Sequence, residues 1–417
     1  MTTSTEIEVK VGLKSPIVMG SIGLLTLLFL GYLGRDGMVA FEISRRIDPV
    51  QLPTLDIDSS TLGLISGLAM LAIAGFSLSR SLRNLKTPIW ASIVFGAIGV
   101  IALLGWLAAE GSVPVAFIAG TAVVLAVPII LGAMSGVMSE RVGITNIAIE
   151  GQLLTGAFMA AVVSSITDNF LFGIIAAMVT SSLVSMILAV FSIRFMAQQI
   201  IVGVVLNVLV IGITNFLYQQ WLTEDAQNVN FPGTLEIIKI PLLSDIPILG
   251  PIVFENRITV YLALLIAPIL WFVLFKTRLG LRARAVGEHP LAADTVGINV
   301  RRTRFWWVTI GGAIAGLGGA ALTIGNAGAF GRDMSGGLGY IALAVVILGR
   351  WHPIYAALAA LLFGFAIILR IWAGQVSPGV PSDFIAMVPY LVTIIAVVGF
   401  VGKSTPPKAL AVPYVKG

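Results

Sequence analysis

The sequence has no cysteine and only two histidines, His289 and His352. Disulfide frameworks, thiolate metal sites and cysteine nucleophiles are excluded together, and two histidines 63 positions apart have no ligand spacing. Charge is also scarce. Only 11% of the 417 residues are charged, against about 25% in a soluble domain, which excludes soluble enzymes, binders of nucleic acid polymers and disordered scaffolds. No Walker motif is present, so any use of ATP belongs to a partner. The apolar stretches hold no His, Cys, Ser-Lys or paired-carboxylate constellation, which argues against an intramembrane enzyme.

What remains is apolar. Hydrophobic residues make up 58% of the chain and the mean hydropathy is +1.01. The 45 glycines and 19 prolines lie among apolar residues, and transmembrane helices tolerate both. The pattern predicts an all-α, polytopic transmembrane bundle in a cell membrane.

About 20 apolar residues span a hydrocarbon core of roughly 30 Å. Stretches of that kind run near 16–34, 61–79, 88–108, 115–138, 144–165, 170–193, 199–219, 258–275, 305–327, 353–372 and 384–402. A twelfth, 336–349, is short and glycine-rich and either crosses as a short helix or dips in and returns. The first stretch is of full length and has no small-residue cleavage site before Arg35, so it is expected to be a retained helix rather than a signal peptide.

Charge gives the orientation. With the N-terminus inside and the loops counted alternately, 18 Lys and Arg fall inside and 7 outside, while five acids fall inside and fourteen outside. The positive-inside rule then predicts that both termini are cytoplasmic. It also favours 336–349 as a crossing, since Arg350 and His352 then lie inside. The loops 35–60 and 221–257 face outward in this scheme, and 276–304 is the longest inside loop.

Glu150 is the one carboxylate inside an apolar helix, in GITNIAIEGQLLTGAF (143–158). Asn146 precedes it by four residues, which in a helix places both on one face. Two readings compete: a polar clamp between helices, or a position on a translocation path. Gln152 and Asn207 are candidates for the same path, and Gln198, Gln199 and Asn215 add amides along or at the mouth of 199–219. Gly311, Gly312, Gly316, Gly318 and Gly319 suit close helix packing, since no strand precedes them and no Lys-Ser/Thr follows to make a phosphate loop.

The inside loop GLRARAVGEHPLAADTVGINVRRTR (280–304) has basic flanks at Arg282, Arg284, Arg301, Arg302 and Arg304. Its middle, Pro290 to Val296, is Ala-rich and suits a short helix with proline at its first position. Basic flanks alone are ordinary for an inside loop. A compact, partly apolar helix between them points to a docking surface for a cytoplasmic protein.

These segments carry a resemblance. SERVGITNIAIEGQLLTGAF (139–158) resembles the signature of permease subunits of ABC importers in the ribose/branched-chain amino acid superfamily, in its nucleoside-type branch. IRFMAQQIIVGVVLNVLVIGITNFL (193–217), LRARAVGEHPLAADTVGINVRRTR (281–304), GYIALAVVILGRWHPIYAALAALLFGFA (339–366) and PPKALAVPYVKG (406–417) agree in order and spacing over about 115–417. Ala148 departs from the pattern, where glycine is usual.

The resemblance implies a permease core over 111–417, preceded by an extension over 1–110 with about three transmembrane helices. It implies nucleosides as cargo, with simple sugars such as ribose or riboflavin as alternatives carried by related branches. An ion-coupled secondary transporter, with Glu150 titrating, is the reading from another class, and the loop at 281–298 argues against it. The implied partners are a second, related permease, a cytoplasmic ABC ATPase that binds ATP and Mg, and an extracytoplasmic binding lipoprotein of the basic-membrane-protein type. The chain itself would hold no cofactor and no metal. Arg284, Glu288, Pro290, Ala292, Ala293, Asp294 and Gly297 would form the coupling helix that docks on the ATPase, and Asn146, Glu150, Gln152 and Asn207 would belong to the substrate pathway. Broken or re-entrant helices are expected in two related halves, with a weak echo between GITNIA near 143 and GYIALA near 339.

Overall fold

The computed structural model describes residues 13–45, 47–48, 50–376, 387 and 405–416. Two compact units emerge: residues 1–118 with 370–386, and residues 119–369 with 387–417.

In the first unit, α1 (Lys14–Leu25) continues to Tyr32 as π-helix and is followed by α2 (Ser59–Leu82) and α3 (Ile89–Leu107). α1 and α2 touch through glycine. A Cβ on Gly67 would sit 2.6 Å from the Leu27 Cα, and Gly63 faces Leu30 in the same way, which is small-xxx-small packing. Three short strands lie in the connections: β1 (Met38–Glu42), β2 (Leu55–Asp58) and β3 (Ser112–Pro114), in the order β2-β1-β3. Asp58 caps α2, accepting from the Thr61 amide and from the Ser60 and Thr61 hydroxyls. Those bonds hold its carboxyl at about 2.

Helix α4 (Val115–Glu140) leads into the second unit, where α5 (Ile149–Thr167), α6 (Phe170–Ile193), α7 (Gln199–Leu217) and the one-turn α8 (Ala226–Val229) follow. A β4 (Ile237–Lys239) and β5 (Glu255–Arg257) pair closes the loop before α9 (Ile258–Lys276). Then come α10 (Arg278–Glu288), α11 (Pro290–Thr295), α12 (Val300–Leu322), α13 (Leu338–Leu348) and α14 (Pro353–Val376). Helices α5, α6 and α12 pack backbone to backbone. A Cβ on Gly156 would stand 2.7 Å from the Gly316 Cα, and one on Gly312 would overlap the Ser185 side chain. The expected role of the α12 glycines is borne out. A large apolar core lies among α4, α5, α9, α12, α13 and α14, around Ile130, Met134, Leu153, Leu274 and Phe363.

Among the described residues ten helical stretches are long and apolar enough to cross a membrane, in agreement with a polytopic helical bundle. Apart from Met387, the expected span 384–402 lies outside the described residues, as do the counted charges Lys10, Arg46 and Lys403. The stretch 336–349 forms α13, whose 11 residues cover about 16 Å, half a bilayer core.

Two expectations are corrected. The span expected from 144 begins at Ile149: Gly143 turns the chain at φ +89°, and residues 144–148 stay non-helical. Asn146 therefore precedes the helix and does not share a face with Glu150. The anticipated echo is likewise partial, because α13 opens just after Gly337 while α5 opens only at Ile149 and is full length.

Candidate functional site

Between α4 and α5 the chain is non-helical at a level where α13 and α7 pack around it. Backbone groups at membrane depth have no water to satisfy them, so irregular backbone persists there only where protein groups replace that water. The polar residues singled out in the sequence supply these groups.

Asn207, on α7, accepts from the Gly151 amide at 2.8 Å and donates to the Ile147 carbonyl at 2.9 Å and the Tyr340 hydroxyl at 3.2 Å. Gln199, at the start of α7, accepts from the Thr145 amide at 2.7 Å. Asn146 and Gln152 form a reciprocal amide pair. Gln152 donates to the Asn146 Oδ1 at 3.0 Å, and Asn146 donates to the Gln152 Oε1 at 3.2 Å and to the Ser135 hydroxyl of α4 at 3.1 Å.

Glu150 takes a different direction. It is 2% exposed, and its carboxylate accepts from the Ser335 hydroxyl at 2.6 Å, the Gly337 amide at 2.8 Å and the Gly339 amide at 2.6 Å. It thus caps the N-terminus of the half-length helix α13, where unpaired N–H groups and the helix dipole favour an anion. Gly339 lies against the Glu150 backbone so closely that a Cβ there would overlap it, which is why a residue without a side chain is needed.

At one end of the unit a second layer forms. Arg141 donates to the carbonyls of Trp351 at 2.8 Å and Arg350 at 3.4 Å, and the Trp351 indole donates to Glu140. Burial lowers the Arg141 pKa from its ordinary value, with the charge of Glu288 opposing. His352 stacks between Phe275 and Tyr355, at 5.1 and 4.4 Å between centroids. Its pKa is lowered, first by burial and then by the Arg141 charge. Arg304, 2% exposed, donates to the Val142 carbonyl at 3.0 Å and the Val412 carbonyl at 3.1 Å. The segment 405–416 is tied down here as well, through the Ala409 amide to the Gly287 carbonyl and the Ala411 amide to the Gly143 carbonyl.

The loop 276–304 folds as two helices rather than one, α10 having gone unforeseen. Thr277 caps α10 by accepting from the Gly280 amide, and Asn299 caps α12 by accepting from the Arg302 amide. Between them α11 starts at Pro290 as expected and ends at Thr295, and the chain turns just beyond it at Gly297, with φ +84°. Ala293 is its inward residue, 3% exposed and packed with Val286, Val300 and Tyr414. Ala292, Glu288 and the apolar Leu291 and Val296 are exposed, Pro290, Asp294 and Arg284 half-buried. The Arg284 guanidinium lies 5.0 Å from the Phe275 ring centroid.

The expected pathway residues therefore gather at the helix break, Asn146 with Gln152, Asn207 across α5 and Glu150 at α13. The expected coupling residues lie apart from them, on α10, on α11 and, for Gly297, just beyond α11. Sequence reasoning missed Ser335, Tyr340, Arg304, Arg141 and Trp351 as partners. Arg304 reads in sequence as one more loop charge.

Comparison with known proteins agrees with this architecture. Residues 118–397 match the family described as branched-chain amino acid transport system / permease component. The chain is 43% identical over 309 residues to a guanosine ABC transporter permease of Bacillus subtilis, covering 70% of this chain and 95% of that protein. It is 40% identical over 300 residues to a nucleoside ABC transporter permease of Lactococcus lactis subsp. cremoris, covering 69% and 93%. It is 26% identical over 357 residues to a second guanosine ABC transporter permease of Bacillus subtilis, covering 82% and 92%. No solved structure matches the chain.

Proposed function

The chain belongs to the branched-chain amino acid transport system / permease component family and is a multi-pass membrane permease subunit of an ABC transporter, not itself an enzyme; from that premise we propose that its cargo is nucleosides. The observation that carries this reading is the identity of 43% and 40% to two permeases named for guanosine and for nucleosides, over more than nine-tenths of each. A sugar is the second reading, because a putative glucose ABC transporter permease of Haloferax volcanii is 33% identical over 91% of its length.

The working unit in this reading pairs the chain with a second, related permease. The similarity to both guanosine permeases of one organism supports a heterodimer. A cytoplasmic ATPase supplies ATP and Mg, and a binding lipoprotein delivers cargo on the other side. The ATPase docks on α11, whose exposed Leu291, Ala292 and Val296 offer it an apolar edge, with Arg284, Glu288, Pro290, Ala293, Asp294 and Gly297 shaping that edge. Asn146, Glu150, Gln152 and Asn207 serve the substrate path by fixing the half-helix and the broken segment that form its wall.

Uptake of labelled guanosine, ribose and glucose by cells with and without the gene tests the assignment. The expected result is loss of guanosine uptake alone. Loss of ribose or glucose uptake with guanosine unchanged would replace it with the sugar reading.

A further inference from the structure

A cleft of about 1040 Å³ opens between the start of α10 and the start of α12. Three exposed arginines, Arg278, Arg282 and Arg302, line it together with Asn299 and Thr303, and no carboxylate does. None of the three guanidiniums has an ion pair or a side-chain hydrogen bond among the described residues. The first turns of two helices of 11 and 23 residues, α10 and α12, border the same space, and helix N-termini add partial positive charge where an anion binds. An uncompensated triple positive charge beside two helix N-termini is a phosphate-binding arrangement.

The cleft does not end there. Leu279, Trp306 and Trp307 also line a second cavity of about 410 Å³, which runs between α9 and α12 and is otherwise walled by residues such as Ile266, Ile269, Ile310 and Ile314. From Trp306 to Ile314 this groove follows two turns of α12, about 12 Å. Both helices are membrane-spanning stretches, so the groove lies at the depth of acyl chains. Tryptophan at the junction suits the headgroup level, where its amphipathic ring prefers to sit.

We propose that the cleft and groove together form a binding site for one anionic glycerophospholipid. Its phosphate is held by Arg278, Arg282 and Arg302, and one acyl chain lies between α9 and α12. Basic pockets next to spanning helices recognise such headgroups by charge, while the apolar extension selects a lipid over a free anion. The cleft borders α11, so a lipid seated there would also steady the frame that carries the coupling helix.

Native mass spectrometry of the purified transporter complex tests this directly, after incubation with phosphatidylglycerol or with phosphatidylcholine of the same chains. The complex is expected to retain phosphatidylglycerol several-fold more than phosphatidylcholine. Arg282→Gln with Arg302→Gln should bring the two to parity, and Arg282→Lys with Arg302→Lys, which keeps the charge, should preserve the preference. Ile310→Trp, which fills the groove, should reduce retention although the arginines remain, and excess inorganic phosphate should not displace the lipid. Equal retention of both lipids, or an unchanged preference in the Gln variant, would overturn the proposal. So would displacement by inorganic phosphate, which marks a plain anion site. Loss of the ATPase from the Gln variant with lipid retention unaltered would overturn it too, by making the arginines a protein-docking surface.

Discussion

A carboxylate at membrane depth costs several kcal/mol unless it is hydrogen-bonded, and Glu150 offsets that cost by taking three donors at the start of α13. Glu150→Gln leaves one acceptor oxygen for three donors and turns an NH₂ toward a backbone N–H. We expect it to lower stability by about 1–3 kcal/mol, and Glu150→Ala by more, read as the melting temperature of the purified complex in detergent. An unchanged melting temperature in both variants would mean that the clamp holds nothing. Glu150 stood out in the sequence because it is a lone acid in an apolar stretch. Its partners did not, since Ser335 lies 185 positions away and the other donors are backbone groups with no side-chain signature. His352 gives a second expectation at this scale. Arg141, Phe275 and Tyr355 face it, and its pKa is lowered, so the folded protein disfavours the imidazolium. Its contribution is therefore complete above the ordinary histidine value of about 6.5 and is lost as pH falls below it. The melting temperature should fall as the pH is lowered through about 6.5, less steeply in His352→Gln. Equal slopes in the two proteins would rule this out.

Among the elements, the broken segment 144–148 depends on amides borrowed from α7. Asn207→Leu removes the acceptor for Gly151 and the donor for Ile147 while keeping the volume, and each orphaned group costs about 1–3 kcal/mol. We expect a lower melting temperature and faster hydrogen exchange at Gly151. Exchange as slow as in the unaltered protein would contradict the assignment. The segment 405–416 ties the same region to α10 and α12. Deleting it strips Arg304 of the Val412 carbonyl and Gly143 of its bond from Ala411, and the truncated chain should unfold at lower temperature. Among the described residues, sequence pattern located the long apolar helices within a few residues, because twenty apolar residues in a row allow little else. It placed α11 through its proline start and Ala-rich run. It misjudged 144–148, because TNIA is apolar enough to continue a helix and the turn at Gly143 is a backbone property. It missed α10, whose many arginines read as loop charge although Thr277 caps it as a helix.

For the molecule as a whole, two sites stand apart in the second unit: a hydrogen-bonded helix break that fixes a half-helix, and the short helices α10, capped by Thr277, and α11, which presents an apolar edge. The positive-inside count predicts that this edge is cytoplasmic. Because the chain has no cysteine of its own, single cysteines at Thr295 and Thr234 test the orientation without background. An impermeant thiol reagent added to intact cells should label Thr234→Cys and spare Thr295→Cys, and the reverse pattern would invert the topology. The central claim is that this permease moves nucleosides by converting ATP hydrolysis, received at α11, into opening of its path. Ala293→Pro addresses it, since Ala293 is the inward residue of α11 and its amide bonds the His289 carbonyl at 3.0 Å, a bond that proline cannot make. The decisive measurement is ATP-driven guanosine uptake, with ATP hydrolysis followed in parallel, in proteoliposomes holding the complete transporter and its Ala293→Pro variant. The account predicts coupled uptake and hydrolysis in the first, and hydrolysis with uptake reduced at least tenfold, about 1.4 kcal/mol in effective barrier, in the second. Undiminished guanosine uptake by the variant, or uptake by the unaltered complex that does not need ATP, would contradict it.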